Sequence, residues 1–230
     1  MKYKNVIKGK FISRPNRFIA TVEIDGKTET VHVKNTGRCK ELLVPGCTVY
    51  LSVSDNPVRK TKYDLIAAVK KTDGKEILIN MDSQLPNYAA EEFLPGSGLF
   101  SAEAKIRREV KFGNSRFDIF VEDKGKKSFI EVKGVTLEKD GTALFPDAPT
   151  ERGVKHINEL IEAKKQGYDA YIFFVIQMKG VHSFSPNAEM HPEFAEALKN
   201  AHKNGVKILA FDCMVTENSV TVDKAVKVIL

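Results

Sequence analysis

The sequence predicts two units in one chain: an all-β, five-stranded barrel of the OB type over residues 1–80 and an α/β domain with a mixed sheet over residues 81–230. Three observations predict this. The first 80 residues break into about five short alternating segments, with no helical periodicity longer than Gly37 to Leu43. From Met81 onward helices and strands alternate. The charge divides at the same point. Residues 1–80 hold 16 Lys and Arg against 8 Asp and Glu, a net of +8, and the rest of the chain carries −2 of the overall +6. A basic surplus confined to the first third is what a polyanion-binding surface requires, and equally what a lysine-rich solubilising face provides.

In the barrel, Phe18–Ile24 alternates apolar and polar residues and runs into Asp25-Gly26, a two-residue hairpin signal. Thr28–Val33 resumes the alternation. Thr48–Val53 follows Pro45-Gly46, and Tyr63–Val69 and Glu76–Ile79 flank the turn Thr72-Asp73-Gly74. Residues 80–101, rich in Pro, Gly and Ser, read as a connector, and a short helix capped by Ser101 follows over Ser101–Arg107. Strands are expected at Glu109–Phe112, Arg116–Val121 and Ser128–Lys133. A polar loop covers Glu138–Pro149, and a helix covers Thr150–Gln166, stopped by Gly167. Ala170–Gln177 is a continuous apolar run, the mark of a strand buried on both faces. Pro192–Asn204 is an amphipathic helix stopped by Gly205, and Val206–Phe211 is a last core strand.

The composition sets limits. With 42% hydrophobic residues in 230, the chain has enough apolar material for a sizeable core and is not mostly disordered. No apolar run reaches the ~20 residues of a membrane span, and Met1–Phe11 lacks the apolar stretch of a secretory signal. Three cysteines (Cys39, Cys47, Cys213) without C-x-x-C spacing give neither a disulfide framework nor a zinc site. The expected location is the cytoplasm, with no membrane partner and an oligomeric state the sequence leaves open.

Three residues of the second unit stand out: Asp118 on one strand, Glu131 and Lys133 on the next. Residues two apart on a strand share a face, and a turn centred between Lys124 and Gly125 sets Asp118 opposite Glu131. Ionisable groups among Phe129, Ile130 and Val132 are costly unless paired or bound to a metal. Two carboxylates and the Val132 carbonyl suit Mg2+ or Mn2+, and Lys133 suits a water or a phosphate beside it, so the set points to metal-assisted phosphodiester hydrolysis. Glu103 on the short upstream helix would add a third carboxylate. The alternative is a Glu–Lys ion pair at a sheet edge with a surface aspartate nearby.

Phe117-Asp118 followed by Phe129-Ile-Glu-Val-Lys-Gly134 resembles the signature of the PD-(D/E)xK nuclease superfamily, with Phe117 in place of the nominal proline. Almost the whole chain is similar to the sugar fermentation stimulation protein A family. The similarity rests on Arg14-Pro-Asn-Arg-Phe18, His32-Val-Lys-Asn-Thr-Gly-Arg38, Glu41-Leu-Leu43, Ser115-Arg-Phe-Asp118, Glu131–Leu137, Phe145–His156, and Phe194-Ala plus Gly205-Val. The resemblance implies an N-terminal OB-like domain joined to a PD-(D/E)xK nuclease-like domain, DNA as partner, and a regulatory link to sugar (maltose) metabolism. It places the acidic metal ligands on Asp118 and Glu131, the lysine on Lys133 and the helix glutamate on Glu103.

Candidate nucleic-acid contacts come from both units. In the barrel, Arg14, Arg17, Lys34, Asn35, Arg38, Arg59 and Lys62 mix with Phe18 and Tyr63, the combination that tracks phosphates and stacks bases. Asn35-Thr36-Gly37-Arg38 reads as a turn. In the second unit, Thr150 caps a helix whose N-terminus, with Arg152 and Lys155, can face a phosphate; an ordinary capped helix start is the alternative. The leading reading is a DNA-binding protein (RNA being possible) with a Mg2+-dependent nuclease site. A non-catalytic DNA-binding regulator and a small-molecule phosphate or nucleotide hydrolase remain open beside it.

Overall fold

The computed structural model describes residues 1–35, 37–72 and 74–230. Thr36 and Asp73, each part of an expected turn, lie outside them. The first unit is built from β1 (Val6–Ser13), β2 (Ile19–Ile24), β3 (Lys27–Val33), β4 (Thr48–Val53), β5 (Tyr63–Thr72) and β6 (Lys75–Asn80), in the sheet order β3-β2-β1-β4-β5-β6. Parallel pairing of His32–Val33 with Asp64–Leu65 joins β3 to β5 and closes a five-stranded OB barrel. The sequence reading missed β1, whose apolar residues are interrupted by lysines and Gly9, and counted β6, which extends β5 outside the ring. Gly37–Leu43 is not a helix; a single turn bonds Leu43 N–H to the Cys39 carbonyl at 2.9 Å.

The second unit contains α1 (Leu85–Phe93), β7 (Lys105–Phe112), β8 (Ser115–Asp123), β9 (Lys126–Val135), β10 (Leu137–Lys139), β11 (Thr142–Phe145), α2 (Glu151–Lys165), β12 (Asp169–Ile176), β13 (Ser183–Pro186), α3 (Pro192–Lys203), β14 (Lys207–Val215), β15 (Val220–Ala225) and β16 (Lys227–Val228). Its main sheet, β15-β14-β12-β9-β8-β7, is mixed: β9, β12 and β14 are parallel, and the strands on either side of them run antiparallel to their neighbours. A smaller sheet, β10-β11-β13-β16, occupies part of what the sequence presented as a polar loop.

Local chemistry explains most of these elements. The β2–β3, β8–β9 and β10–β11 hairpins turn on Asp25-Gly26, Lys124-Gly125 and Asp140-Gly141, with positive φ at both residues of each, the geometry that matches strand twist. β12 is buried from Ala170 to Ile176 because it lies mid-sheet, with α1 packed against one side and α2 and α3 against the other. A Cβ on Gly153 would stand 2.9 Å from the Thr150 hydroxyl and 3.2 Å from the Phe194 ring, so only glycine lets α2 and α3 pack this closely.

The expected helix over Ser101–Arg107 is absent. Those residues form a turn and the start of β7, where Lys105–Phe112 alternates exposed and partly buried positions. The helix lies instead inside the presumed connector. Pro86 occupies its first turn, and Leu85, Ala89 and Ala90 bury against the sheet. The barrel and the α/β unit share one apolar cluster running from Phe11 and Val31 to Phe117 and Ile172. Polar latches flank it: Lys34 Nζ lies 2.7 Å from the fully buried Asp82 carboxylate, and Lys70 Nζ lies 2.5 Å from Glu138. Among the described residues no helix is long and apolar enough to cross a membrane.

Candidate functional site

The β8–β9 ladder runs from Asp123–Lys126 up to Ile119–Ile130. One step further, where the same register sets Asp118 beside Glu131, the backbones part. The Val132 N–H bonds to Asp118 Oδ2 at 2.8 Å instead of to a neighbouring strand. This fork is the site. The spacing inferred from the Lys124-Gly125 turn is therefore correct, and both acids sit within their strands. Asp118 Oδ1 accepts a second bond, from Asn87 Nδ2 of α1, at 2.9 Å.

Glu131 is 2% exposed. Its Oε1 is shared by Lys133 Nζ at 2.5 Å and by His156 Nδ1. Its Oε2 is buried and has no hydrogen-bond partner among the described residues. Burial raises the Glu131 pKa, but the His156 bond and the Lys133 charge outweigh it, so Glu131 titrates below the usual carboxylate range. Asp118 goes the other way: burial and then the charge on Glu131 push its pKa up, more than Val132, Lys133 and Asn87 pull it down. One carboxylate is thus fixed in its ionised form, and the second is held ionised only at a cost.

Gly134 explains how α1 reaches the fork. A Cβ there would lie 2.5 Å from Gln177 Oε1 and 2.6 Å from Pro86 Cγ. Its absence lets the first turn of α1 sit on β9, which brings Asn87 to Asp118. No group of three or more His, Cys, Asp or Glu side chains arranged for a metal occurs among the described residues. A cation at the fork would draw on two carboxylates, with the Val132 carbonyl and water completing a hard-oxygen shell. The unpartnered Glu131 Oε2 beside Asp118 fits such an ion.

Other expected site residues distribute unevenly. Glu103 is exposed in the turn before β7, in a cleft with Asp123 and Lys126 at the tip of the β8–β9 hairpin. That tip is five residues of strand from Asp118, about 16 Å, so Glu103 is not a third acid of this site. Lys34 is engaged by Asp82. Asn35 is spent on the Met81 carbonyl and the Gly37 N–H. Arg59 makes two bonds to Asp64, at 2.7 and 2.8 Å. Arg14 donates to the carbonyls of Arg17, Asn35, Gly37 and Arg38, so it shapes the loop and does not reach outward.

Arg17 and Arg38 are exposed and line, with Lys40, a cleft of about 460 Å³ on the barrel. Lys62 is exposed beside the Tyr63 ring, and Phe18 is 56% exposed. Thr150 caps α2 by accepting from Gly153 N–H at 3.1 Å. Arg152 and Lys155 project from the first turns of α2, and Arg152 Nε donates to His156 Nε2 at 3.4 Å.

Sequence reasoning missed Asn87 and gave His156 no firm role. Pro86 just inside a helix start was the available signal for the first. The second had only its place in the Phe145–His156 motif. Glu109, also missed, lies in β7 alongside Asp118 and has a left-handed φ of 55°, uncommon for a non-glycine residue within a strand.

The family model described as the sugar fermentation stimulation protein RE domain matches residues 84–219, and the SfsA N-terminal OB domain matches residues 12–79. The chain is 58% identical over 230 residues to a sugar fermentation stimulation protein homolog of Clostridium beijerinckii, covering 100% of both. It is 57% identical over 228 residues to the homolog of Ruminiclostridium cellulolyticum, covering 99% of each. A solved structure described as Pyrococcus furiosus SfsA in complex with Ca2+ matches with a TM-score of 0.88 at 30% identity, over 100% of this chain and 98% of that one.

Proposed function

The chain belongs to the sugar fermentation stimulation protein family, and we propose that it is a nucleic-acid-binding, divalent-metal-dependent phosphodiesterase acting on DNA. The observation that carries this reading is the buried Glu131 Oε2, without a donor among the described residues, next to a second, half-buried carboxylate. Packing does not favour such a pair, since burial and the charge on Glu131 both raise the cost of ionising Asp118. A divalent cation offsets that cost. The Pyrococcus relative, whose structure is described as a Ca2+ complex, supports an oxygen-ligated cation site in this fold.

When bound, Mg2+ or Mn2+ supplies Lewis-acid polarisation of a phosphate and a more acidic water. The protein's own groups do the rest. Val132 N–H and Asn87 hold Asp118 in one orientation. His156 and Lys133 grip Glu131 Oε1, which leaves Oε2 free to face a cation. The Lys133 ammonium, half-buried beside Glu131, is placed to orient an attacking water and offset charge growing on the phosphoryl oxygens. Arg17 and Arg38 on the barrel, with Arg152 and Lys155 near the fork, supply phosphate contacts.

The test incubates single- and double-stranded DNA and RNA with the protein in Mg2+, Mn2+ or EDTA, beside Asp118→Ala and Lys133→Ala. The expected result is metal-dependent cleavage of DNA that both variants lose. Retention of DNA without cleavage in any metal would instead make the chain a binding regulator. Absence of binding to any nucleic acid at low salt would leave a small-molecule phosphate substrate.

A further inference from the structure

A second feature borders the fork on the side of the β7–β8 turn. Here a cleft of about 450 Å³ lies between that turn and the start of α2, and His156 forms part of its wall. Four cations line it: Lys111, Arg116, Arg152 and Lys155. Glu109 is its one carboxylate, and it meets Arg116 only at 3.8 Å between two exposed side chains. Lys111 makes no ion pair among the described residues. Lys155 reaches Glu159 at 3.9 Å and donates to the Asn114 carbonyl at 3.4 Å. The positive charge of the cleft is therefore only partly compensated, by two long ion pairs.

Ser115 supplies an independent observation. It is 8% exposed, it lines the cleft, and its hydroxyl has no hydrogen-bond partner among the described residues. A buried hydroxyl left unpaired is destabilising, and a ligand oxygen would relieve that cost. Ser115 stands three residues before Asp118 on β8, about 10 Å along the strand. A group held by Ser115 is thus a near neighbour of the bond that the fork would cut.

We propose that this cleft seats the terminal phosphate of a nucleic-acid strand, so that the enzyme acts on phosphorylated ends. The inference rests on the phosphodiesterase reading for its consequence, though not for the binding event. Charge decides between an end and an internal phosphate. Four cations against Glu109 and Glu159, which reaches Lys155, leave a local charge of +2, while a diester carries one negative charge. A terminal monoester carries about −1.5 to −2 at pH 7 and three acceptor oxygens, enough to engage the forked guanidinium groups and the Ser115 hydroxyl together. His156 links the two places, since its Nδ1 meets Glu131 while its Nε2 accepts from Arg152.

The experiment compares single-stranded DNA oligonucleotides of one sequence with a 5′-phosphate, a 3′-phosphate, or hydroxyls at both ends. Binding is read by fluorescence anisotropy in EDTA and in Ca2+, and cleavage in Mn2+. One phosphorylated end should bind about tenfold more tightly than the hydroxyl-ended strand, the equivalent of roughly one charge-assisted contact. Ser115→Ala should lower that preference about threefold or more, and Lys111→Ala with Arg116→Ala should abolish it. Equal affinity for all three ends would overturn the proposal, and so would a preference that survives in both variants. Preference for a phosphorylated end without cleavage would uphold the cleft and refute the phosphodiesterase; cleavage without an end preference would do the reverse.

Discussion

Asp118→Asn distinguishes a metal ligand from a structural carboxylate. Asp118 accepts from the Val132 N–H at 2.8 Å and from Asn87 Nδ2 at 2.9 Å. An asparagine keeps the first bond with its Oδ1. Asn87 keeps the second by rotating its amide so that its own oxygen faces the new Nδ2, and no polar group is orphaned. The substitution also removes a charge that burial and Glu131 make expensive, the two causes that raise the Asp118 pKa. Without metal at pH 7, the variant should be as stable as wild type or more stable by about 1–2 kcal/mol. The sign with pH follows: this advantage is present above the raised Asp118 pKa and fades as pH falls through it, because protonation then neutralises the wild-type acid too. A divalent cation at about a hundred times its Kd should stabilise wild type by about 2.7 kcal/mol, a Tm rise of about 5–10 °C for a chain of this size. The variant should lose most of that rise. Thermal unfolding followed by circular dichroism, in EDTA and along a Mn2+ titration, reads both quantities. An asparagine variant that melts several degrees below wild type in EDTA, or that keeps the full Mn2+ shift, would refute the assignment.

Three further outcomes follow from particular contacts. Lys34→Met removes the counter-charge of the fully buried Asp82 carboxylate, which keeps only donors from the Tyr3 hydroxyl and the Gln84 N–H, and should cost about 3–5 kcal/mol in urea unfolding, while the salt slope of DNA binding stays at the wild-type value. Gly134→Ala forces a methyl against Gln177 and Pro86; a loss of about 1–3 kcal/mol is expected, with weakened Mn2+ stabilisation as α1 and Asn87 shift, and an unchanged Tm would contradict the packing argument. Arg17→Ala should lower DNA affinity across sequences and reduce the log–log salt slope by about 1, measured by anisotropy between low and moderate salt.

The acid pair was legible because its information is local. A two-residue X-Gly turn fixes register, register fixes which residues face each other, and the period of two fixes their side. The barrel was legible for the same reason at β2, β3 and β4. What failed was long-range. The pattern of β1 is diluted by lysines, and the strand exists because β2 and β4 pair on both its sides. Ser101–Arg107 has the composition of a helix but lies at the sheet edge, where β8 recruits it into β7. That misplacement carried Glu103 away from the fork, while the helix that does reach the site begins at Leu85, just before Pro86, in a stretch whose Pro and Gly content suggested no structure. Lys34, Asn35 and Arg59 were credible phosphate contacts as isolated cations and amides, and only the fold reveals Asp82, Met81 and Asp64 as their partners.

The same separation of local from long-range information bears on the chemistry. A surface built only to hold a polyanion gains from every cation and loses from every carboxylate facing the backbone. This chain carries both kinds of surface. The barrel cleft with Arg17 and Arg38 is cationic, whereas the fork holds one buried and one half-buried acid, the buried one with an oxygen that no donor among the described residues satisfies. On the proposed function, the negative charge of the fork would repel the phosphate that the surrounding cations attract, until a divalent ion reversed its sign. Cation binding and nucleic-acid binding at the fork should then strengthen each other by the same factor, since linkage between two ligands is reciprocal. A purely structural role for Asp118 and Glu131 would leave the two binding events independent.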